Sequence, residues 1–253
     1  MSRTYEALKK AEAERDRGPY NPVENVPVNG REAPHLHWDI GGPTPLEYQK
    51  IRVWLTSPTA RQRIQAVMVA GLRSGAGSTT TAALLAASLA EGKKTRVLII
   101  DGNFRTPALN MVFQIKNGSG LTEVVSEGVL SEARIQPTNR PNLFALTCGQ
   151  LPVCPPEVYE GGGIEELISQ LKQRFEFVIF DSSPLLEFPE SYALAPKVDG
   201  IIMVVEADKT PVEDARRAKR NLEYAGGRIL GVVLNRQKDY TPAFLKKFFS
   251  PAY

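Results

Sequence analysis

Residues 71–94 read GLRSGAGSTTTAALLAASLAEGKK, a glycine-rich turn followed by a helix-forming run. The apolar run IQAVMVA at residues 64–70 comes directly before it and predicts a buried strand. A glycine-rich turn between a buried strand and a helix lets backbone N–H groups approach a phosphate, and the helix N-terminus favours negative charge. The stretch therefore predicts a phosphate-binding loop in an α/β protein.

Further apolar runs with β-branched residues recur along the chain, at residues 95–101, 142–147, 176–181, 200–207 and 228–235. Helical patterns alternate with them, the first near residues 45–56. Near-continuous apolar strands separated by helices are typical of a parallel sheet covered on both faces. We therefore predict a doubly wound, mostly parallel α/β sheet flanked by helices on both faces.

The pattern divides the chain into four regions. We predict an N-terminal helix within residues 1–17, a polar linker at 18–43, the α/β domain at 44–240 and a tail at 241–253. The tail places apolar Phe244, Leu245, Phe248 and Phe249 around two lysines, which suits packing on the body or binding to an anionic membrane. Because the segment is short, we favour packing.

Composition sets outer limits on function. The net charge of +3 gives no support for a nucleic-acid partner. No apolar run is long enough for a membrane span, and the N-terminus is charged throughout, so we expect a cytoplasmic protein. Cys148 and Cys154 lack the spacing and the histidines of a zinc site and are interpreted as reduced thiols.

The loop departs from the P-loop pattern G-x-x-x-x-G-K-[ST] at two positions, with Leu72 at the first glycine and Ser78 at the lysine. The missing ammonium removes a charge interaction of about 4 kcal/mol with the phosphates, enough to slow transfer roughly a thousandfold. Thr79 stands where a hydroxyl coordinates Mg²⁺. Arg73 is a candidate to replace the lost charge, or a solvent-facing loop residue.

The helix that follows residue 207 also carries a start signal. Thr210 is the expected N-cap, with Pro211 at the first helical position and Glu213 completing a capping box. The predicted nucleotide-binding residues of the glycine-rich loop are Gly75, Ala76, Gly77, Ser78, Thr79 and Thr80.

Several segments resemble one family in the right order. They read SGAGSTTT, VLIIDGNFRTP, NLFALTCGQLPVCPPEVY, FVIFDSSPLL, VDGIIMVVEADKT and ILGVVLNRQ. From about Pro45 to Tyr240 the chain thus resembles the bacterial tyrosine kinases (BY-kinases) of capsule and exopolysaccharide synthesis, of the cytoplasmic CpsD/CapB type, within the MinD/ParA class of P-loop ATPases.

This resemblance implies site roles for particular residues. Asp101 corresponds to the carboxylate that acts on the tyrosine hydroxyl, and Asp181 to the one that organises Mg²⁺ beside Thr79. Asn235 corresponds to the residue that reads the nucleotide base. The second acidic residue of the family motif is here Asn103, so one negative charge is lost.

The family's ring-forming motif E-x-x-R-x-x-R is also altered. Leu46, Gln49 and Arg52 occupy its three positions, while Glu47 and Lys50 provide charges at a shifted register. The family's C-terminal tyrosine cluster is reduced as well, since the end of the chain holds Tyr240 and Tyr253 alone. Self-association therefore stays open, with an amphipathic surface helix as the alternative.

These departures concern catalytic parts, whereas the strands and turns are intact. The leading hypothesis is a catalytically impaired domain, a pseudokinase, of exopolysaccharide or capsule biosynthesis or export that binds a partner, with ATP or ADP and Mg²⁺ as its candidate ligands. One alternative is an active, autophosphorylating protein-tyrosine kinase of the same pathway. Another is a MinD/ParA-like positioning ATPase, for which a lysine is expected at the position of Arg73.

The resemblance also implies a partner. Domains of this type act with the cytosolic part of a membrane polysaccharide co-polymerase, which would hold this chain at the inner face of the membrane.

Overall fold

The computed structural model describes four stretches of the chain, at residues 42–57, 63–92, 95–150 and 155–237. The predicted N-terminal helix (1–17), nearly all of the linker (18–43) and the tail (241–253) lie outside the described residues. Those three assignments stay predictions, as does the outer boundary of the α/β domain.

The described strands form one sheet. They are Ala66–Gly71 (β1), Val97–Gly102 (β2), Gln136–Pro137 (β3), Leu143–Leu146 (β4), Phe177–Ser182 (β5), Gly200–Glu206 (β6) and Ile229–Asn235 (β7). The strand order is β3-β4-β2-β5-β1-β6-β7, and every neighbouring pair is parallel except β3 with β4. The predicted doubly wound, mostly parallel sheet is therefore confirmed. The pattern missed β3, because two residues ending in a proline carry no periodicity.

Helices occupy the connections between the strands. They are Leu46–Leu55 (α1), Ser78–Ala90 (α2), Leu109–Phe113 (α3), Leu121–Glu127 (α4), Pro155–Glu160 (α5), Gly163–Arg174 (α6), Glu190–Leu194 (α7) and Val212–Tyr224 (α8). Short 3-10 turns lie at Glu132–Arg134 and Ala195–Lys197. None of the described helices is both long and apolar enough to cross a membrane.

Alternation along the strands divides the core between the two faces of the sheet. On β1, Ala66, Met68 and Ala70 belong to a buried cluster with Leu167 and Leu171 of α6. Successive side chains of a strand point to opposite faces, so the intervening residues of β1 face α2. The fully buried α2 alanines are small, which lets this helix approach the sheet closely and fixes where its N-terminus points.

The helix α1 is tied to the end of α2 by polar contacts. Arg52 Nη1 donates to the carbonyl of Ser88 at 2.8 Å and to Glu91 Oε2 at 2.7 Å. Thr44 Oγ1 donates to Glu91 Oε1 at 2.7 Å, and Gln49 Nε2 donates to the carbonyl of Thr44. Two positions of the altered ring motif, Gln49 and Arg52, are thus engaged within the chain.

The predicted start of α8 is wrong by one residue. The N-cap position belongs to Pro211, whose ψ of 140° is extended, and not to Thr210, so the helix begins at Val212 without a side-chain cap. The amide of Asp214 instead donates to the Pro211 carbonyl. Glu213 and Asp214 in the first turn place negative charge at the positive end of the helix, which stabilises the start by electrostatics.

Candidate functional site

The glycine-rich loop connects β1 to α2 at the carboxyl edge of the sheet. Gly75 and Gly77 have φ of +79° and +94°, in the left-handed region that favours glycine. A Cβ atom on Gly77 would lie 2.1 Å from Asn235 Nδ2, so no larger residue fits there without movement. Leu72, at the altered first glycine position, is fully buried and packs into the core.

The last residue of β7 clamps this loop. Asn235 Nδ2 donates to the carbonyl of Ala76 at 2.9 Å, and Asn235 Oδ1 accepts a hydrogen bond from the amide of Arg236. Both ends of the side-chain amide are therefore engaged by protein groups. The role of Asn235 in reading a base stays a prediction, and the structure gives it a clear part in shaping the loop.

The two residues predicted to hold Mg²⁺ lie together. Thr79 Oγ1, in the first turn of α2, donates to Asp181 Oδ2 at 2.6 Å. Ser78 and Thr80 lie beside it in the same turn, both partly exposed. Asp181 is fully buried, and its Oδ1 accepts no hydrogen bond from the described residues.

That unpartnered carboxylate oxygen fits a magnesium ion, which prefers oxygen ligands and binds through one or two carboxylates plus phosphates and waters. Within the part of the chain that the structure describes, no group of three or more His, Cys, Asp or Glu side chains gathers around one point. A metal here would therefore depend on Thr79, Asp181 and the phosphates of a bound nucleotide.

Asp101 lies beside Asp181, because the two residues are register partners on β2 and β5. Asp101 Oδ2 accepts the amides of Ala108 and Leu109, each at 3.0 Å, and Oδ1 accepts the amide of Asn103 at 3.2 Å. The carboxylate thus holds the start of α3 as well as the loop that leads to it.

Burial changes the acidity of this pair. Loss of solvent raises the pKa of Asp101 to about 6, although the three amides act against the shift. Burial and the neighbouring charge of Asp101 raise the pKa of Asp181 as well. At neutral pH the site therefore holds two adjacent carboxylates, both costly to ionise.

Asn103 organises the turn after β2. Its Oδ1 accepts the amide of Thr106 at 3.2 Å, and its Nδ2 donates to Thr106 Oγ1 at 3.0 Å. Ser183 Oγ donates to the same Oδ1 at 3.4 Å. The residue at the second acidic position is thus a buried hydrogen-bonding partner for the loop.

Arg73 and Arg105 are each held by a carboxylate. Arg73, the candidate charge substitute, donates from Nη2 to Asp214 Oδ2 of α8 at 2.7 Å. Arg105 donates from Nε to the fully buried Glu190 at 3.0 Å and stacks over Phe188, 4.7 Å from the ring centroid. Neither guanidinium replaces the missing ammonium at Ser78 in this arrangement.

Glu187 is a site residue that sequence reasoning missed. Its carboxylate accepts the amide of Ser74 at 3.1 Å and the hydroxyl of Ser74 at 2.5 Å, on the outer side of the loop. The amides of Leu185 and Leu186 donate to the carbonyls of Gly71 and Leu72, which fixes the segment that carries it. No sequence signal marks this contact, since 113 positions separate Glu187 from Ser74.

Arg105 was missed too, although it stands in the quoted FRTP segment of the resemblance. Cys148 is free, as expected, and burial raises its pKa to about 12, so this thiol is no nucleophile. Cys154 lies outside the described residues.

Comparison with known proteins identifies the family of the chain. The family model of the cellulose biosynthesis protein BcsQ matches residues 64–223, more than half of the chain. The tyrosine-protein kinase YwqD of Bacillus subtilis is 32% identical over 193 residues, which are 76% of this chain and 81% of YwqD. The chain belongs to the family of this model, and its relatives make it a member of the bacterial tyrosine kinases. The expected family is thereby confirmed.

Three further proteins are similar to this chain over most of their own length. The putative tyrosine-protein kinase CapB of Staphylococcus aureus is 28% identical over 75% of this chain and 83% of CapB. The chimerical protein CapA2B2 has a TM-score of 0.73 at 26% identity, over 80% of this chain and 89% of that one. MinD of Pyrococcus horikoshii, solved with Mg-ADP, has a TM-score of 0.57 at 22% identity, over 72% of this chain and 76% of that one, and shows a common fold alone.

Proposed function

We propose that this chain is a catalytically impaired member of the bacterial tyrosine kinases that binds ATP or ADP with Mg²⁺ and acts through a partner. The observation that carries the proposal is Ser78 at the head of α2, beside an intact Thr79–Asp181 pair. Nucleotide binding would retain the loop amides, the helix N-terminus and the metal ligands. Phosphoryl transfer would lack the positive charge that stabilises its transition state.

The roles of the chain's own residues follow from their contacts. Backbone amides of the loop would bind the phosphates, with Gly75 and Gly77 giving access. Thr79 and Asp181 would hold the metal, which when bound neutralises charge on the phosphates. Asn235 keeps the loop in shape through the carbonyl of Ala76.

Calorimetric titration of the purified protein with Mg-ATP and Mg-ADP, beside a Ser78→Lys variant, tests this proposal. We expect micromolar binding by the native protein, and tighter binding with a gain of ATP turnover in the variant. If the Ser78→Lys variant binds nucleotide and the native protein does not, the native site has lost nucleotide binding and that part of the proposal is wrong. Rapid turnover by the native protein would contradict the impairment.

An active kinase is a second candidate, and one observation favours it. The pKa of Asp101 is raised to about 6, which suits a general base near neutral pH. Phosphotyrosine on the expressed protein, compared with an Asp101→Asn variant that keeps the shape of the side chain, separates the two. A signal that the substitution abolishes supports the kinase, whereas no signal in either supports impairment.

The proposed setting is exopolysaccharide or capsule biosynthesis or export, with the cytosolic part of a membrane polysaccharide co-polymerase as the partner. The BcsQ family model, described by cellulose biosynthesis, supports a link to polysaccharides. The chain would then lie in the cytoplasm at the inner face of the membrane. Co-expression with a co-polymerase, followed by membrane sedimentation, tests this: the chain should sediment with membranes when the partner is present and stay in the supernatant when it is absent.

A further inference from the structure

A groove runs between α1 and the outer edge of the sheet at β7, and it is called the α1–β7 groove below. It has a volume of about 290 Å³ and is lined by Lys50, Ile51, Trp54, Ile202 and Leu230–Val233. One lining side chain is charged, that of Lys50, and the others are apolar or glycine. Such a surface favours an apolar occupant.

The surroundings of the groove expose more apolar surface than isolated side chains would explain. Trp54 of α1 is 51% exposed and Val232 of β7 is 59% exposed, and both residues line the groove. A Cβ atom on Gly231 would meet no atom within 4 Å, so the floor of the groove is open. Exposed apolar side chains on both sides of one groove are typical of a contact site.

Residues 238–253 follow the described chain at this edge of the molecule. β7 ends at Asn235, and the strand residues that line the groove precede that end by two to five positions, about 7–17 Å at roughly 3.3 Å per residue. Residues 238–243 can span about 20 Å when extended. The segment that begins at Phe244 is therefore within reach of the groove.

The composition of that segment suits the groove. Phe244, Leu245, Phe248 and Phe249 recur at positions i, i+1, i+4 and i+5, the spacing of one side of a helix. Lys246 would lie away from that side, toward solvent. Leaving three phenylalanines and a leucine in water would forgo about 1.5–3 kcal/mol of burial for each side chain.

The N-terminal region is a weaker candidate for the same groove. Its predicted helix presents Tyr5, Leu8 and Ala11 on one side, a smaller apolar area, and the long polar linker separates it from α1. Aromatic side chains contribute most to contacts of this size. The tail is thus the better match.

We propose that residues 244–249 dock into the α1–β7 groove of their own chain through the Phe244, Leu245, Phe248 and Phe249 side. This contact covers Trp54 and the outer edge of β7. It also occupies the exposed face of α1, so a second copy of the chain cannot contact that face while the tail is docked.

Trp54 provides the probe, because the chain has two tryptophans and Trp38 is the other. In full-length Trp38→Phe protein, a Phe244→Ser/Phe248→Ser variant is compared with a Lys246→Ser/Lys247→Ser control. We expect the aromatic substitutions to red-shift the emission of Trp54 and to raise its acrylamide quenching about twofold, since an aromatic contact that excludes water is lost. The lysine control should leave both unchanged. Identical quenching in all three proteins would overturn the proposal.

A cross-link tests the contact without relying on fluorescence. In a Cys154→Ser background, the pair Gly231→Cys with Phe248→Cys should form an intramolecular disulfide under mild oxidation, whereas Gly231→Cys with Lys247→Cys should form several-fold less. Equal cross-linking of both pairs would overturn the proposal. Disulfide-linked dimers in place of monomers would assign the groove to a second copy and overturn it as well.

Discussion

At the scale of single residues, the candidate nucleotide site has two carboxyl groups and no paired positive charge among the residues described above. Asp101 and Asp181 lie side by side beneath the loop, and the position that would hold an ammonium carries Ser78. The neighbouring Arg73 is held by Asp214. Buried charges without a paired cation reduce the stability of the fold, and functional sites commonly carry such a cost.

An Asp181→Asn substitution should therefore stabilise the protein in the absence of Mg²⁺. In the unfolded chain these carboxyl groups lose their protons near pH 4, whereas the folded protein keeps them to higher pH. The free energy of unfolding therefore falls as the pH rises from about 4 through about 6. We expect the variant to gain about 1–2 kcal/mol at pH 7.5 and a flatter pH dependence. Urea unfolding at pH 5 and pH 7.5 with EDTA measures both.

The matched control for this substitution is Asp214→Asn. Its carboxylate is paired with Arg73 and Arg217, so removing the charge should bring no gain. Native protein of equal stability at both pH values, or an Asp181→Asn variant that is less stable, would contradict this account.

Glu187 places a negative charge against the glycine-rich loop at Ser74. Its carboxylate occupies the amide and the hydroxyl of Ser74, which an anionic ligand would otherwise approach. Glu187→Gln should raise the affinity for Mg-ATP by about three- to tenfold, with a smaller effect on Mg-ADP because that ligand carries less charge.

Calorimetry measures the affinities for Mg-ATP and Mg-ADP with and without the Glu187→Gln substitution. If the native protein binds nucleotide weakly, both proteins are compared in the Ser78→Lys background. Glu213→Gln, an exposed acid of α8 paired with Arg216, serves as the control. Equal affinities for ATP before and after the Glu187→Gln substitution would show that the carboxylate does not compete with the ligand.

At the scale of elements, one aspartate fixes the start of β1. Asp199 Oδ2 accepts the amides of Gln65 and Ala66 at 2.9 and 2.8 Å, and its Oδ1 accepts Lys172 Nζ from α6 at 2.7 Å. This single carboxylate thus connects β1, α6 and the turn before β6.

Asp199→Ala should cost about 2–3 kcal/mol, because it leaves two amides at the strand start without their acceptor. Asp199→Asn retains an acceptor and should cost clearly less. The midpoints of urea unfolding rank the stability of the native protein and the two Asp199 variants. Equal midpoints for all three would show that water replaces the carboxylate.

The sequence pattern predicts the type of a strongly periodic element better than it predicts the residues at which that element begins and ends. The apolar runs that became β1 and β5 carry enough buried residues to fix their type. The start of α8 was misplaced because the pattern of Thr210 and Pro211 fits two helix starts, and the extended ψ of the proline decides between them. The antiparallel β3 had no pattern to read.

At the scale of the whole molecule, the site combines predictable and unpredictable parts. Thr79 and Asp181 could be expected to meet, because strand ends and the loop share the carboxyl edge of a parallel sheet. The contacts of Glu187 with Ser74 and of Glu190 with Arg105 depend on how the segments that follow β1, β2 and β5 meet in space. Local patterns do not carry that information.

Self-association also belongs to this scale. Arg52, retained from the ring motif, contacts Ser88 and Glu91 of its own chain. A ring contact through Arg52 would have to share or break these hydrogen bonds.

The clamp of Asn235 on the glycine-rich loop has a consequence for the order of events during synthesis. The two contacting residues are 159 positions apart, so a ribosome adding 5–20 residues per second makes the clamp roughly 8 to 30 seconds after the loop. Until β7 joins the sheet, Gly77 and its neighbours lack the contact that shapes them. The glycine-rich loop is therefore synthesised early but reaches its final conformation only after β7 has been made and has joined the sheet.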